Sequence, residues 1–208
     1  MNSGFKKRIV GILTTGALLI GSSSVYGADY KVDLDHSSVT FTIKHLIGKV
    51  KGSFRDFNGG IKFDKDHPEK SIITARIIAS SIDTNNAKRD EHLRSKEFFD
   101  VRSPKSYKYL EYDSISVTPV SPDRYKMDGI LKIRGIEKRT LFDVQFLGAS
   151  MDAERKNRIG FIATTTINRK DFGIKWNKIL DPEKGGGFIL GDDVDIEIAV
   201  EAVEKSKL

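Results

Sequence analysis

Residues 193–201 read Asp-Val-Asp-Ile-Glu-Ile-Ala-Val-Glu, and the period of this stretch decides the fold. Val194, Ile196, Ile198 and Val200 share one parity, while Asp193, Asp195, Glu197 and Glu201 share the other. Side chains alternate between two faces in an extended chain, whereas a helix would scatter the same residues around its axis. The stretch is therefore a strand with one face in an apolar interior and one in water.

Working outward, the same period recurs. Val39, Phe41 and Ile43 alternate with Ser38, Thr40, Thr42 and Lys44. Tyr125, Met127, Leu131 and Ile133 alternate with Lys126, Asp128, Lys132 and Arg134, and Phe142, Val144 and Phe146 with Asp143 and Gln145. Residues 107–112, 114–120 and 159–167 add further short strands. Ile72 to Ile82 is apolar on both parities, which predicts a strand covered on both faces. Between Val50 and Phe63 the aromatic pair Phe54 and Phe57 changes parity, and Asn58-Gly59-Gly60 predicts a bulge or tight turn there. Turn signals such as Ser121-Pro122-Asp123 and Gly148-Ala149-Ser150 separate the strands. About eight to ten short strands at regular spacing indicate an all-β sandwich or barrel. Only Asn85 to Arg94 breaks the period; it is polar, rich in helix formers and led by asparagines able to cap, so a short surface helix is expected, pinned by Phe98-Phe99. No repeat or linker divides the chain, which reads as one domain over residues 28–208.

The 208 residues carry 35 Lys+Arg against 29 Asp+Glu, a net charge of +6 that invites a nucleic-acid reading. The amino terminus accounts for half of that excess. Lys6-Lys7-Arg8 precede the uncharged, 12-residue stretch Ile9 to Ile20, and small residues follow, down to Gly27 and Ala28. This is the pattern of a secretory signal peptide over residues 1–27. The apolar stretch falls well short of the roughly 20 residues that span a bilayer. Its removal leaves 32 basic groups against 29 acidic, so nucleic-acid binding loses its support, and the mature chain has no membrane-spanning run. The expected location is the periplasm, or secretion beyond it. Cysteine is absent, which excludes disulfides, thiolate metal sites and a cysteine nucleophile.

Catalytic motifs are also lacking. The four histidines, His36, His45, His67 and His92, lie too far apart for a close metal-ligand pair, and no metal or cofactor is expected. No Gly-x-Ser-x-Gly elbow occurs. Asp192, Asp193 and Asp195 belong to a solvent face, and Gly185-Gly186-Gly187 neither follows a strand nor opens a helix, so a phosphate cradle is not indicated. His45 continues the apolar parity of Val39, Phe41 and Ile43, which fits a core residue or a polar contact at a cavity mouth. A barrel of about eight strands either fills with side chains or holds one small ligand, and periodicity does not distinguish the two.

Six ordered motifs resemble the YceI-like family. They are residues 33–45 (Asp-Leu-Asp-His-Ser-Ser-Val-Thr-Phe-Thr-Ile-Lys-His), residues 52–59 (Gly-Ser-Phe-Arg-Asp-Phe-Asn-Gly) and Ser81-Ile82-Asp83-Thr84, followed by Arg89-Asp90-Glu91-His92-Leu93-Arg94-Ser95 with Phe98-Phe99, residues 129–135, and Arg169-Lys170-Asp171-Phe172-Gly173. The match is colinear over residues 29–202; Ile136-Glu137-Lys138-Arg139 and the 177–188 loop depart from it. The resemblance implies an extended, antiparallel lipocalin-like β-barrel, often dimeric, in the periplasm. It implies a carrier of a polyisoprenoid or other long-chain lipid rather than an enzyme. On that reading Phe41, Ile43, Met127, Leu131, Phe142, Val144, Phe161 and Trp176 are the expected bore lining, with His45 and Arg169 as polar contacts near the mouth. The alternatives are a hydrolase acting on a lipid head group through His45 or His92, and a small outer-membrane barrel.

Overall fold

The computed structural model describes residues 27–103, 107–180 and 186–205. The proposed signal segment lies outside the described residues, apart from Gly27. In chain order the strands are β1 (Ala28–Val32), β2 (Ser38–His45), β3 (Gly48–Phe54), β4 (Phe57–Phe63), β5 (Ile72–Ile78) and β6 (Ile82–Asp83). Helix α1 (Ala87–Arg94) follows. Then come β7 (Tyr109–Ser121), β8 (Arg124–Ile133), β9 (Ile136–Met151), β10 (Asn157–Asn168) and β11 (Leu190–Glu204).

All pairings are antiparallel, and the ring β1-β4-β5-β7-β8-β9-β10-β11 closes where β11 pairs β1. β2, β3 and β6 prolong three of these strands. β11 pairs β1 through Ala202 and Glu204 and β2 from Ala199 back to Leu190, so β1 and β2 share one edge of it. β3 pairs β2 as β4 pairs β1, and β6 pairs β3 as β5 pairs β4. The result is an extended up-and-down barrel of eight long strands, three of them broken in mid-course. The expected all-β barrel with one short helix is the fold observed.

The break between β3 and β4 falls at Arg55-Asp56, not at Asn58-Gly59-Gly60. The glycines sit inside β4 in regular register with Ala75 and Thr74. Side-chain to backbone bonding fixes the kink: Ser81 accepts from the Arg55 and Asp56 amides through its carbonyl and hydroxyl, each at 3.1 Å. The same contacts terminate β5, so Ile72 to Ile82 is not one strand buried on both faces. It divides into β5, a one-turn helix at Ala79–Ser81 and β6, and Ile72 is 54% exposed. Conversely, residues 107–112 and 114–120 merge into β7, with a register shift between Ser114 and Ser116.

Alternation holds best in β8, where Tyr125, Met127, Leu131 and Ile133 are all buried. The outward positions carry charge instead of an apolar band: Lys126 pairs with Asp143, Arg139 with Asp128, and Lys132 with Glu111 and Glu137. These charged pairs on β7, β8 and β9 contrast with the uncharged outward band of an outer-membrane barrel. No helix among the described residues is long and apolar enough to cross a membrane.

Candidate functional site

The two halves of the barrel interior are filled differently. At the end holding β1 and the β9–β10 turn, aromatic rings fill the bore. Phe63 lies 5.1 Å from Phe161, 5.5 Å from Phe146 and 6.1 Å from Tyr125, centroid to centroid. Met127, Val144 and Phe161 belong to this packed half. Towards the β2–β3 end lies a cavity of about 250 Å³. Tyr112 and Phe142 form part of its wall, edge to face at 5.0 Å, and the buried Tyr112 hydroxyl donates to the Met127 carbonyl at 3.2 Å. Burial pushes the Tyr112 phenol well up, so it stays a neutral donor. Gly129 makes this possible, since a Cβ there would lie 2.6 Å from the Tyr112 ring.

The cavity walls come from β2, β3, β5, β7, β8, β9, β10 and β11. Val194, Ile196 and Ile198 point inward, opposite the exposed Asp193, Asp195 and Glu197, yet none of the three is fully buried. All three line the cavity. Phe41 lies over Gly52, where an added Cβ would come within 2.4 Å of its ring. Phe54 and Phe99 continue that aromatic wall, edge to face at 5.8 Å.

Over this half lies a cover made of α1, Phe98-Phe99 and the strap of residues 174–180. Asn86 caps α1 by accepting from the Arg89 amide at 3.0 Å. Buried Asp90 accepts from the amide and hydroxyl of Thr84, at 2.9 and 2.5 Å, and Arg89 donates to the hydroxyl and carbonyl of Thr84. These bonds tie the helix to the end of β6 and place a small polar corner, Thr84 and Arg89, on the mostly apolar wall. His92 stacks edge-on between Phe98 and Trp176, at 5.0 and 4.9 Å, with Nε2 2.5 Å from a Glu97 carboxylate oxygen.

Arg169 anchors the strap. Its guanidinium donates to the carbonyls of Gly191, Ile174 and Trp176 at 2.7–2.8 Å and to Asp192 at 2.9 Å. Burial lowers its affinity for a proton, and the Asp192 carboxylate opposes that shift. Lys170 and Arg169 in turn hold Asp192 below the ordinary carboxylate range. With four of its N–H groups already bonded, Arg169 braces the cavity wall that it lines. Asn177 completes the brace by exchanging two hydrogen bonds with the Leu190 backbone.

Of the residues singled out in the sequence, Phe41, Ile43, His45, Leu131, Phe142, Arg169 and Trp176 line the cavity. Met127, Val144 and Phe161 do not, because the aromatic cluster fills their half of the bore. The lining also includes Phe54, Ile77, Ile82, Leu93, Phe98 and Leu110, which no alternating run marked. Three metal-ligand types do meet, at Asp33, His36 and Glu201. Arg158 already lies 2.7 Å from Asp33 and 2.5 Å from Glu201, so a guanidinium occupies the space between these carboxylates.

A family model described as a YceI-like domain matches residues 30–202. The chain belongs to the YceI-like family. A "UPF0312 protein" of Serratia proteamaculans is 37% identical over 201 residues, covering 95% of this chain and 97% of its own. Among solved structures, Burkholderia cenocepacia BcnA superposes with a TM-score of 0.70 at 21% identity, covering 82% of this chain and 98% of its own. A polyisoprenoid binding domain from Saccharophagus degradans superposes at 0.60 with 15% identity, covering 85% and 98%. At these identities the two structures speak to the fold alone. The YceI-like barrel described here thus has its strand breaks, its cover and its cavity within the span that the family model matches.

Proposed function

We propose that this barrel is an exported, non-catalytic carrier that holds a polyisoprenoid or another long-chain amphiphile in its hollow half. The observation that carries the reading is the row Val194, Ile196 and Ile198, facing inward on a cavity of about 250 Å³ and only partly covered. An apolar cavity of about 150 Å³ already takes up a benzene-sized molecule, so this space suits a few isoprene-sized groups. Each buried methylene-sized group contributes about 0.8 kcal/mol, so binding needs few polar contacts. Phe41, Ile43, Leu131, Phe142 and Trp176 touch the chain in this reading, and His45, at the far end of β2, meets its more polar portion. Met127, Val144 and Phe161 belong to the plug that closes the other end. The polyisoprenoid binding domain of Saccharophagus degradans, with the same fold, supports the ligand class. The signal-like segment 1–27 supports export to the periplasm. His92 is half-exposed beside Glu97 and wedged between two rings, with no serine or threonine hydroxyl bonded to it among the described residues. It serves the cover and not a hydrolytic pair.

Trp176 is the single tryptophan of the chain and lines the cavity, so its fluorescence reports on the site directly. Titration with a polyisoprenol delivered from detergent micelles is expected to change that emission saturably at one equivalent. A flat titration, together with ester or pyrophosphate cleavage that His92→Ala abolishes, would replace the carrier by a hydrolase.

A further inference from the structure

Beside the hollow half, two loops present apolar side chains to water. The β2–β3 turn exposes Leu46 (42%) and Ile47 (106%), and the segment ahead of β11 exposes Ile179 (68%) and Phe188 (59%). They form one projection. The Leu46 amide donates to the Ile189 carbonyl at 2.9 Å, and Ile179 bridges Phe188 across a small antiparallel pairing. The backbone neighbours of these tips, His45, Ile189 and Leu190, line the cavity, so the projection stands beside that space. Four singly scattered apolar residues would be ordinary, but a contiguous exposed tip marks an interaction site.

Among the described residues around the tip, lysines predominate. Lys44 and Lys49 face each other across the β2–β3 turn, and Lys175 and Lys178 lie on the strap. All four are exposed and form no ion pair among the described residues. Lys170 lies 5.7 Å over the Phe188 ring. Of the nearby acids among the described residues, Asp192 is already paired with Arg169 and Lys170, which leaves Asp171 and Asp193; Asp181, Glu183 and Lys184 lie outside the described residues. The tip protrudes from the barrel with apolar ends and lysines behind them, a form that suits a headgroup layer, where apolar groups enter the acyl boundary and ammonium groups stay at the phosphates.

We infer that this projection docks on an anionic lipid bilayer, with Ile47 and Phe188 entering below the headgroups and Lys44, Lys49, Lys175 and Lys178 pairing with lipid phosphates. Docking would bring the cavity half of the barrel against the membrane. The inference concerns the outer tip and does not depend on what the cavity holds.

The test is co-sedimentation of the protein, as its host processes it, with vesicles of phosphatidylcholine alone or mixed with phosphatidylglycerol. Binding to the mixed vesicles, weakened by salt, is the expected result. Ile47→Asp combined with Phe188→Asp should lower the partition coefficient by at least about tenfold, since two apolar insertions are lost. Lys44→Glu combined with Lys178→Glu should lower it by about tenfold or more on the anionic vesicles only. Both double variants should keep the wild-type unfolding midpoint and the wild-type Trp176 response to a micellar polyisoprenol. Wild-type protein left in the supernatant with anionic vesicles would overturn the inference. So would an Ile47→Asp/Phe188→Asp variant that pellets like wild type. A flat polyisoprenol titration with vesicle binding intact would sink the carrier reading and leave docking standing.

Discussion

The two ends of this barrel obey the same alternation of apolar and polar residues and use their interiors in opposite ways. At the packed end, Phe63, Tyr125, Phe146 and Phe161 reach across the bore and meet. At the hollow end the strands offer mostly aliphatic side chains, Ile43, Leu131, Val194, Ile196 and Ile198, which line the wall without filling the space. The strand rings Phe41, Phe54, Tyr112 and Phe142 stand at the wall there, and the cover adds Phe98, Phe99 and Trp176. Alternation states which side of a strand faces inward. Whether the inside is solid depends on the summed volume of residues far apart in the chain.

The largest test of this contrast is truncation in each half. Phe63→Ala should cost about 3–5 kcal/mol, because a ring wedged among three others leaves an unfilled hole. Ile196→Ala should cost only about 1–2 kcal/mol, since it borders the cavity. Urea unfolding of the two variants checks the difference, and equal losses would mean that the halves are equally packed.

Next in size is the brace that keeps the hollow end open. Arg169→Ala removes the donor shared by three carbonyls and Asp192, and about 3 kcal/mol should be lost. Arg169→Lys should recover little of it, because an ammonium does not span the same fork. Unfolding curves and proteolysis within the strap read this out; full rescue by lysine would show that charge alone matters.

Enlarging a small residue in each half sharpens the comparison from the other side. Ala163, 8% exposed in the core, should tolerate phenylalanine poorly, at about 1–3 kcal/mol or more. Ala75 borders the cavity, and Ala75→Phe should cost less than about 1.5 kcal/mol while abolishing the Trp176 titration with polyisoprenol. Retained binding in Ala75→Phe would place the ligand elsewhere.

The smallest effect is electrostatic and belongs to the β1–β2 break. Arg158, helped by His36, holds Asp33 down to about 2, and Arg158 also lowers Asp152. A carboxylate whose affinity for protons is reduced by folding stabilises the fold above its unfolded value of about 3.9, and that contribution disappears as the pH falls towards 2. Unfolding midpoints should therefore drop between about pH 4 and pH 2, and more steeply in wild type than in Arg158→Met. Identical acid profiles would remove this cluster from the account.

How much of this was legible beforehand follows from the same contrast. Strand class and the capped helix come from local signals, parity in β8 and β11 and Asn86 ahead of a polar helix, whereas the choice of barrel over sandwich rests on the family resemblance. The interruptions were misjudged because local signals mislead there. Asn58-Gly59-Gly60 looks like a bend but lies in a regular strand, whereas Arg55-Asp56 is bonded at the bend by Ser81, in a one-turn helix 25 residues beyond Asp56. For the cavity, Phe41, Ile43, Leu131 and Phe142 are readable as inward-facing from parity, while Trp176 rests on the family reading alone. Met127, Val144 and Phe161 carry the same pattern and differ only in which neighbours fill the bore beside them. Phe98-Phe99 stood out as an apolar pair, yet its place over the cavity depends on α1 docking against Thr84, a contact with no periodic signature.

The most direct measurement is native mass spectrometry of the protein purified without detergent from the host that makes it. The account predicts a species heavier than the polypeptide by one long-chain amphiphile, present in wild type and in Phe63→Leu but lost in Ala75→Phe. Bare polypeptide in every preparation, with no Trp176 response to added polyisoprenol, would contradict it.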